Sequence, residues 1–196
     1  MAYQTYTTDA LVIGNNDRLT ADKVFSLFTR EAGLVHAHAI SVRKECSKLR
    51  YGLQDFSLVR TSLVRGKSGW RITGAERARN LYFSACDRHA RGALLRVLRL
   101  VRRLVRGEET HVALFDLLIE GLAVFAVCKE EEIVRAERML TLRILSALGY
   151  VAPKDAYAHL LTASSLSAAL SDRAESVSEE RATRVAIDEA LAVSQL

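Results

Sequence analysis

Lysine and arginine side chains cluster in the first half of the chain in a pattern that suits contact with phosphate groups. The candidate phosphate-contacting residues are Arg43, Lys44, Lys48, Arg50, Arg65, Lys67 and Arg71. Such cations neutralise a nucleic-acid backbone, and the neighbouring rings of Phe56 and Trp70 could stack on bases. The alternative is that both rings belong to a small apolar core and that the charges only solvate loops. For residues 43–50 we favour phosphate contact, and we expect a surface there that binds a nucleic-acid backbone.

Residues that would support catalysis or metal binding form no recognisable set. His36 and His38 share one side of a predicted strand, but two histidines without a further ligand are more typical of a half-buried surface. Cys46, Cys86 and Cys128 are far apart in the chain, which argues against a disulfide framework and against a zinc site. The sequence has no phosphate-binding glycine loop and no nucleophile motif. We therefore expect no enzyme, no metal and no cofactor.

Charge is distributed unevenly along the 196 residues, whose formal net charge is +5. Residues 1–80 and residues 81–107 each carry a net charge of +6, whereas residues 108–196 carry −7. A basic front and an acidic back predict two surfaces with different partners, unless the two surfaces pack on one another. Both outcomes stay open for an arginine-rich stretch, whose side chains could contact phosphates or the acidic region. This stretch contains Arg88, Arg91, Arg99, Arg102, Arg103 and Arg106.

Targeting and membrane signals are missing from the sequence. The first ten residues contain neither a basic segment nor an apolar one, so they do not resemble a signal peptide. The longest apolar stretch, residues 117–128, is interrupted by Glu120 and is too short to span a bilayer. Together with the cysteine pattern, these features predict a soluble protein of the reducing cytoplasm that does not bind membranes.

Five short segments before residue 75 predict β-strands. They are rich in apolar and β-branched residues, and turn residues separate them. The predicted strands cover residues 9–13, 23–29, 34–42, 56–65 and 70–73, with turns at residues 30–33 and 66–69. Because closure removes exposed edges, five short strands favour a small barrel. An OB-fold is the most common barrel of this size, and an SH3-like barrel is the alternative.

The pattern changes to helices after Gly74, because apolar residues then recur at the helical period. The predicted helices cover residues 76–106, 111–128, 130–148 and 155–170. Ser176 and Glu179 form a capping box that opens a last helix ending near residue 193. We therefore predict an α+β protein with a five-stranded OB-fold barrel over residues 1–77 and an α-helical bundle over residues 78–196.

Four segments resemble the bacterial RecO family in order and spacing. They are residues 22–34 (DKVFSLFTREAGL), 52–58 (GLQDFSL), 114–118 (LFDLL) and 143–150 (RILSALGY), the last followed by Pro153. The first two are similar to the family's second strand with its turn and to the segment after its basic loop. The other two are similar to motifs of its helical domain.

The resemblance implies a recombination mediator with an N-terminal OB-fold and a C-terminal helical domain. Proteins of this family bind single- and double-stranded DNA, anneal complementary strands, and partner RecR to load RecA. They also bind the acidic C-terminal tail of single-stranded DNA-binding protein. By this resemblance the basic loop would contact DNA, and Arg138 would contact the tail carboxylate. The alternative for Arg138 is pairing along its helix with Glu131 or Glu137.

Several departures from the family pattern limit what the resemblance implies. Residues 39–43 (AISVR) replace the family's AKGAR, which changes the DNA path at the third strand, and Asp55 replaces a proline. Many relatives carry a four-cysteine zinc module after the LGY motif, whereas residues 154–196 contain no cysteine and are expected to be a shortened, zinc-free ending. Binding to RecR rests on the family alone, because no motif in this sequence supports it.

The sequence is compatible with two functions. The first is a DNA-binding mediator that brings strands together and displaces or remodels single-stranded DNA-binding protein. The second is an adaptor whose OB barrel binds a protein or RNA without annealing DNA. Weak DNA binding even at low salt would favour the adaptor.

Overall fold

The computed structural model describes residues 4–18, 21–172 and 175–194. The chain divides into two units. The first comprises Met1–Ser84 and Val105–Phe115, and the second comprises Ala85–Leu104 and Asp116–Leu196. The chain therefore leaves the first unit after Ser84 and returns to it at Val105. The domain boundary expected after residue 77 stays a prediction.

Five strands of the first unit close into a barrel, which confirms the predicted fold class. The strands are β1 (Thr5–Arg18), β2 (Asp22–Thr29), β3 (Gly33–Ala39), β4 (Ser57–Gly66) and β5 (Gly69–Asn80). Their order around the barrel is β1-β2-β3-β5-β4, with β4 pairing back to β1. Only β3 and β5 pair in parallel, through Ala37 with Trp70 and His38 with Arg71. A short helix, α1 (Leu49–Gly52), precedes β4.

The barrel core consists of apolar side chains from alternate positions of the strands. Val12 of β1, Leu27 of β2, Val35 of β3 and Val59 of β4 have no exposed surface. Since side chains alternate between the two faces of a strand, this inward set places the intervening polar residues on the outside. The barrel interior is therefore a packed core, and binding chemistry lies on its outer surface and loops.

The turn between β2 and β3 requires glycine at residue 33, as the sequence predicts. Gly33 has a φ of +63°, and a Cβ atom there would lie 2.2 Å from the carbonyl oxygen of Glu109. The N–H of Leu34 donates to the carbonyl of Gly107 at 2.9 Å, and the Thr110 hydroxyl donates to the carbonyl of Glu31 at 2.7 Å. These contacts hold residues 105–115 against the barrel.

Strand β5 extends further than the sequence predicts. Glu76 pairs with Arg60 of β4, and Arg77 pairs with Val59, so residues 76–80 belong to the sheet. The helical interpretation of these five residues is wrong, because pairing with β4 outweighs their local preference. The helices start with α2 (Leu81–Ser84) and α3 (Arg88–Leu104).

The rest of the described chain is helical, and α5 is its central element. The remaining elements are α4 (Val112–Val124), a 3₁₀ turn (Glu130–Glu132), α5 (Ile133–Ala147), α6 (Ala158–Thr162), α7 (Leu166–Asp172) and α8 (Val177–Val193). Helix α5 contacts α3, α6, α7 and α8. It also approaches α4 closely, since a Cβ at Gly121 would lie 2.3 Å from Cδ1 of Leu140. No helix in the described ranges is both long and apolar enough to cross a membrane.

Two predicted helices of this region differ in outcome. The helix expected over residues 155–170 is divided into α6 and α7, and between them the carbonyl of Ala163 accepts a hydrogen bond from Nη2 of Arg143 at 3.0 Å. The last helix starts as predicted. The Glu179 N–H donates to the Ser176 hydroxyl at 3.2 Å, and the Ser176 N–H donates to the Glu179 carboxylate at 2.9 Å.

Candidate nucleic-acid interface

The loop between β3 and α1 carries the first predicted cluster of cations. Val42 is buried within this loop. The N–H of Ser41 donates to the Asp22 carboxylate at 2.7 Å, and the N–H of Arg43 donates to the carbonyl of Ala21 at 3.1 Å. These anchors fix the loop backbone while its cations project outward. The exposed cations of this loop and of α1 are Arg43, Lys44, Lys48 and Arg50.

A cavity of about 370 Å³ lies beside this loop. Its lining residues are Lys23, Phe25, Val42, Arg43, Arg50 and Leu53. The Asp17 carboxylate lies 3.5 Å from Nζ of Lys23 and 3.6 Å from Nη1 of Arg43. The cavity is therefore lined by three cations, and the nearest acid balances only part of their charge.

A second cavity, of about 490 Å³, lies between β3 and the turn that joins β4 to β5. Its lining residues are Arg18, Asp22, His38, Ile40, Val64, Gly66, Lys67, Ser68, Gly69, Trp70 and Arg71. The structure thus brings the predicted Lys67 and Arg71 together with Arg18. Nη1 of Arg18 lies 3.1 Å from Nε2 of His38, which fixes the guanidinium at the cavity.

Sequence reasoning missed Arg18 and Lys23 as members of this surface. Each is a single cation at one end of the β1–β2 connection, so neither is part of a local cluster in the sequence. Barrel closure brings them beside the predicted loops. We call the following residues together the barrel cation surface: Arg18, Lys23, Arg43, Lys44, Lys48, Arg50, Lys67 and Arg71.

Ion pairs separate the seven predicted residues into two groups. Arg43 pairs with Asp17, and Arg65 pairs with Glu108 at 3.3 Å. Within the described ranges, the other five form no ion pair: Lys44, Lys48, Arg50, Lys67 and Arg71. Cations without a neighbouring carboxylate keep their charge available for a polyanion. Arg65 is the least available of the seven, because its guanidinium also lies 5.3 Å from the centre of the Trp70 ring.

The two aromatic residues differ in their surroundings. Trp70 is only 8% exposed, its indole N–H donates to the Glu108 carboxylate at 2.9 Å, and Tyr6 packs edge-on against its ring. The core interpretation is therefore confirmed for Trp70. Phe56 is half-buried, with its ring centre 5.9 Å from that of Tyr82. Trp70 therefore offers no open ring face to a stacked base, which leaves phosphate contact as the main chemistry of the second cavity.

Histidines and cysteines are placed as ordinary side chains. His36 is exposed and His38 half-buried on the same side of β3, which confirms the surface interpretation. Burial raises the pKa of the Cys128 thiol to about 11, and the neighbouring Cys86 contributes to that rise. In the part of the chain that the structure describes, no three potential metal ligands lie together.

Arg138 lies on α5 and is held by the chain's own carboxylates. Its side chain is only 9% exposed and donates to the carboxylate of Glu175 and, at 3.3 Å, to that of Glu180. The alternative partners predicted along the helix are therefore wrong, since Glu137 binds Arg96 instead. The position binds carboxylates, and its role toward a partner tail stays a prediction.

A family model matches the barrel. The model described as "Recombination protein O N terminal" matches residues 1–80. These residues contain all five strands of the barrel and every member of the barrel cation surface.

Curated relatives extend the similarity beyond the barrel. DNA repair protein RecO of Pelotomaculum thermopropionicum is 30% identical over 145 residues, which are 74% of this chain and 56% of that protein. DNA repair protein RecO of Heliobacterium modesticaldum is 30% identical over 145 residues, covering 74% and 52%. That of Desulfitobacterium hafniense is 41% identical over 63 residues, covering 32% and 23%. The chain spans about half the length of the first two relatives.

Three findings agree with one another: the barrel topology, the match of its residues to a family model, and relatives that align into the helical region. The motifs noted in the sequence lie on the corresponding elements, residues 22–34 in β2 with its turn and residues 114–118 in α4. The chain belongs to the RecO family of DNA repair proteins.

Proposed function

We propose that this chain is a DNA-binding recombination mediator that performs no enzymatic step. In this role it binds single- and double-stranded DNA and anneals complementary strands. It also displaces or remodels single-stranded DNA-binding protein, so that RecA is loaded with the help of RecR. The observation that carries the proposal is the barrel cation surface of a RecO-family chain, most of whose cations form no ion pair within the described ranges.

Phosphate contact by this surface is independent of base sequence. Nucleic-acid binding by exposed cations is driven by the release of counterions from the phosphates, and it weakens steeply as salt increases. Since Trp70 is buried, the second cavity has no exposed ring on which a base could stack. We therefore expect similar affinity for strands of different sequence at equal length.

Annealing requires charge neutralisation rather than catalysis. Duplex formation from complementary strands is favourable once the repulsion between their phosphates is reduced. A surface that neutralises phosphates on a strand lowers that repulsion for the incoming strand. The proposed role therefore needs no catalytic acid, base or nucleophile.

In this role, Arg138 binds the acidic tail of single-stranded DNA-binding protein. The support for this assignment is chemical, because the guanidinium already binds two carboxylates with a planar fork of donors. An incoming tail would exchange with Glu175 and Glu180, so binding requires that the start of α8 releases Arg138. Binding to RecR is proposed from the family alone.

Annealing of coated strands tests the proposal. Complementary single strands are coated with single-stranded DNA-binding protein, either with its tail or with the tail deleted, and annealing is followed by fluorescence. Three exposed cations of the loop and α1 that form no ion pair within the described ranges are replaced in one variant, Lys44→Gln, Lys48→Gln and Arg50→Gln (the loop variant). The matched control replaces three exposed cations of the second unit, Lys129→Gln, Lys154→Gln and Arg181→Gln (the control variant), which removes the same charge.

We expect the wild-type chain and the control variant to accelerate annealing of the tailed complex, and the loop variant to lose most of that acceleration. Acceleration that is equal with the tail-deleted coat would remove the Arg138 assignment and leave the DNA function. If no acceleration occurs and DNA binding is weak even at low salt, the mediator role is wrong. An adaptor that binds protein or RNA is then the better description.

A further inference from the structure

Helix α3 of the second unit carries a row of exposed arginines that the proposed function does not use. Its buried face consists of Ala90, Ala93, Leu94, Val97, Leu98 and Val101. Its exposed arginines are Arg88, Arg96, Arg99, Arg102 and Arg103. The 17 residues contain no aspartate and no glutamate. Because a helix rises about 1.5 Å per residue, the row extends over about 22 Å.

All of these arginines except Arg96 lack an ion pair within the described ranges. Arg96 is paired, since its Nε and Nη2 donate to the two carboxylate oxygens of Glu137 at 2.6 and 2.7 Å. Arg99, Arg102 and Arg103 (the arginine stripe) form no ion pair with any residue in the described ranges. Pairing with the acidic half of the chain therefore accounts for Arg96 but not for the arginine stripe.

The surroundings of the arginine stripe identify the kind of partner. A protein interface depends on a few buried aromatic or aliphatic anchors. On α3, as far as the chain is described, no large apolar side chain is exposed. A surface that consists of arginines can bind a partner through charge alone. The sugar–phosphate backbone of a nucleic acid is such a partner. Along the helix, Arg99 lies about 4.5 Å from Arg102 and about 6 Å from Arg103, which is of the same order as the phosphate repeat of about 3.4 Å per strand.

We propose that the arginine stripe is a second surface for the nucleic-acid backbone, separate from the barrel cation surface, and that it holds a second strand. The inference rests on the proposed function in one respect, that the chain's polyanion is nucleic acid. It adds that each unit has its own backbone-binding surface. One chain then holds two strands at once, which raises their local concentration for annealing.

A strand-capture assay tests this inference. The full chain is bound to an immobilised oligothymidine, unbound protein is washed away, and a labelled oligothymidine is offered as the second strand. The stripe variant carries Arg99→Gln, Arg102→Gln and Arg103→Gln, and the control variant described above removes equal charge from the same unit. Glutamine keeps a high helix propensity, so α3 is expected to persist, and circular dichroism checks that it does.

We expect the stripe variant to bind the first strand within about twofold of wild type and to capture about tenfold less second strand, because three phosphate contacts are lost. The control variant should capture as wild type does. Capture by the stripe variant at the wild-type level would overturn the inference. Equal loss of first-strand and second-strand binding would also overturn it, since α3 would then belong to the first surface.

The assay separates this inference from the proposed function. The loop variant removes charge only from the barrel cation surface, and it should weaken binding of the first strand. If the loop variant binds the first strand as wild type does, the barrel assignment fails whatever the stripe variant shows. If the loop variant is impaired and the stripe variant captures normally, only the inference about α3 fails.

Discussion

The barrel and helix α5 both depend on arginine, but they use it in opposite ways. On the barrel, Arg50 and Arg71 are exposed and form no ion pair within the described ranges. On α5, the side chain of Arg138 is 9% exposed and bound to two carboxylates. Arg143 is buried, and its Nε and Nη2 donate to the carbonyls of Leu160 at 2.7 Å and Ala163 at 3.0 Å. The role of each arginine therefore follows from its burial and its hydrogen-bond acceptors, not from its residue type.

Burial of Arg143 on α5 changes the pKa of its guanidinium. It lowers the pKa of Arg143 from its ordinary value, and the charge of Glu120 opposes that effect. A buried guanidinium must satisfy its donors within the protein, since water does not reach them. Carbonyls at the break between α6 and α7 meet that requirement for Arg143, so the side chain orders a segment without regular structure.

The largest effect is expected from removing a buried partner. Arg138→Ala should lower the free energy of unfolding by about 3 kcal/mol, because the buried Glu175 carboxylate would keep only Arg135, whose Nε is 3.8 Å away, as a partner. Urea unfolding of the variant and the wild type measures the difference. Alanine is the best helix former, so the loss cannot come from helix propensity in α5. A loss below 1 kcal/mol would mean that Arg138 contributes no more to stability than an exposed arginine, which would contradict the difference drawn between α5 and the barrel.

A smaller loss is expected at the neighbouring arginine. Arg143→Met keeps much of the apolar length but leaves the carbonyls of Leu160 and Ala163 without their donor. This should cost about 2 kcal/mol, as for other buried acceptors left unsatisfied. Thermal unfolding followed by circular dichroism would show it. An unchanged midpoint would mean that water replaces the guanidinium and that the segment after α6 does not depend on Arg143.

The helix that supplies Glu180 can be weakened without touching Arg138. Ser176→Ala removes the hydroxyl that caps α8 and should cost about 1 kcal/mol. Ser176→Asp restores a capping acceptor and should recover most of the loss. If alanine and aspartate variants unfold at the same urea concentration, the capping box contributes no measurable stability to α8.

The smallest change in stability is expected on the barrel. Each substitution of the loop variant should change the free energy of unfolding by no more than about 0.5 kcal/mol, because the three side chains are exposed and form no ion pair with any described residue. The same variant is expected to lose DNA affinity. The loop variant therefore loses binding but little stability, whereas the α5 variants lose stability. Urea unfolding and fluorescence anisotropy on one preparation compare the two. A large loss of stability in the loop variant would contradict the assignment of these residues to binding.

Local sequence patterns predicted much of this molecule. The β2–β3 turn at Gly33, the capping box at Ser176 and the basic loop at residues 43–50 each depend on residues close together in the chain. What could not be predicted depends on distant residues. Residues 76–80 become strand by pairing with β4, and Arg138 finds Glu175 and Glu180, which are 37 and 42 residues away.

The candidate site follows the same rule. Its clustered cations were predictable, because like charges in one loop require no knowledge of the fold. Arg18 and Lys23 could not be assigned, because only barrel closure places them at the two cavities. The buried state of Trp70 was one of two open alternatives, and its hydrogen bond to Glu108, a residue 38 positions away, could not be inferred from spacing.

The salt dependence of DNA binding tests directly whether the barrel cation surface contacts the phosphate backbone. Association constants for a single-stranded oligonucleotide are measured over a range of salt concentrations for the wild type, the loop variant and the control variant. Losing three phosphate contacts should reduce the slope of log K against log salt by about 2 in the loop variant, with no change in the control variant. An unchanged slope in the loop variant, or an equal reduction in both variants, would contradict the assignment of the barrel cation surface to the phosphate backbone.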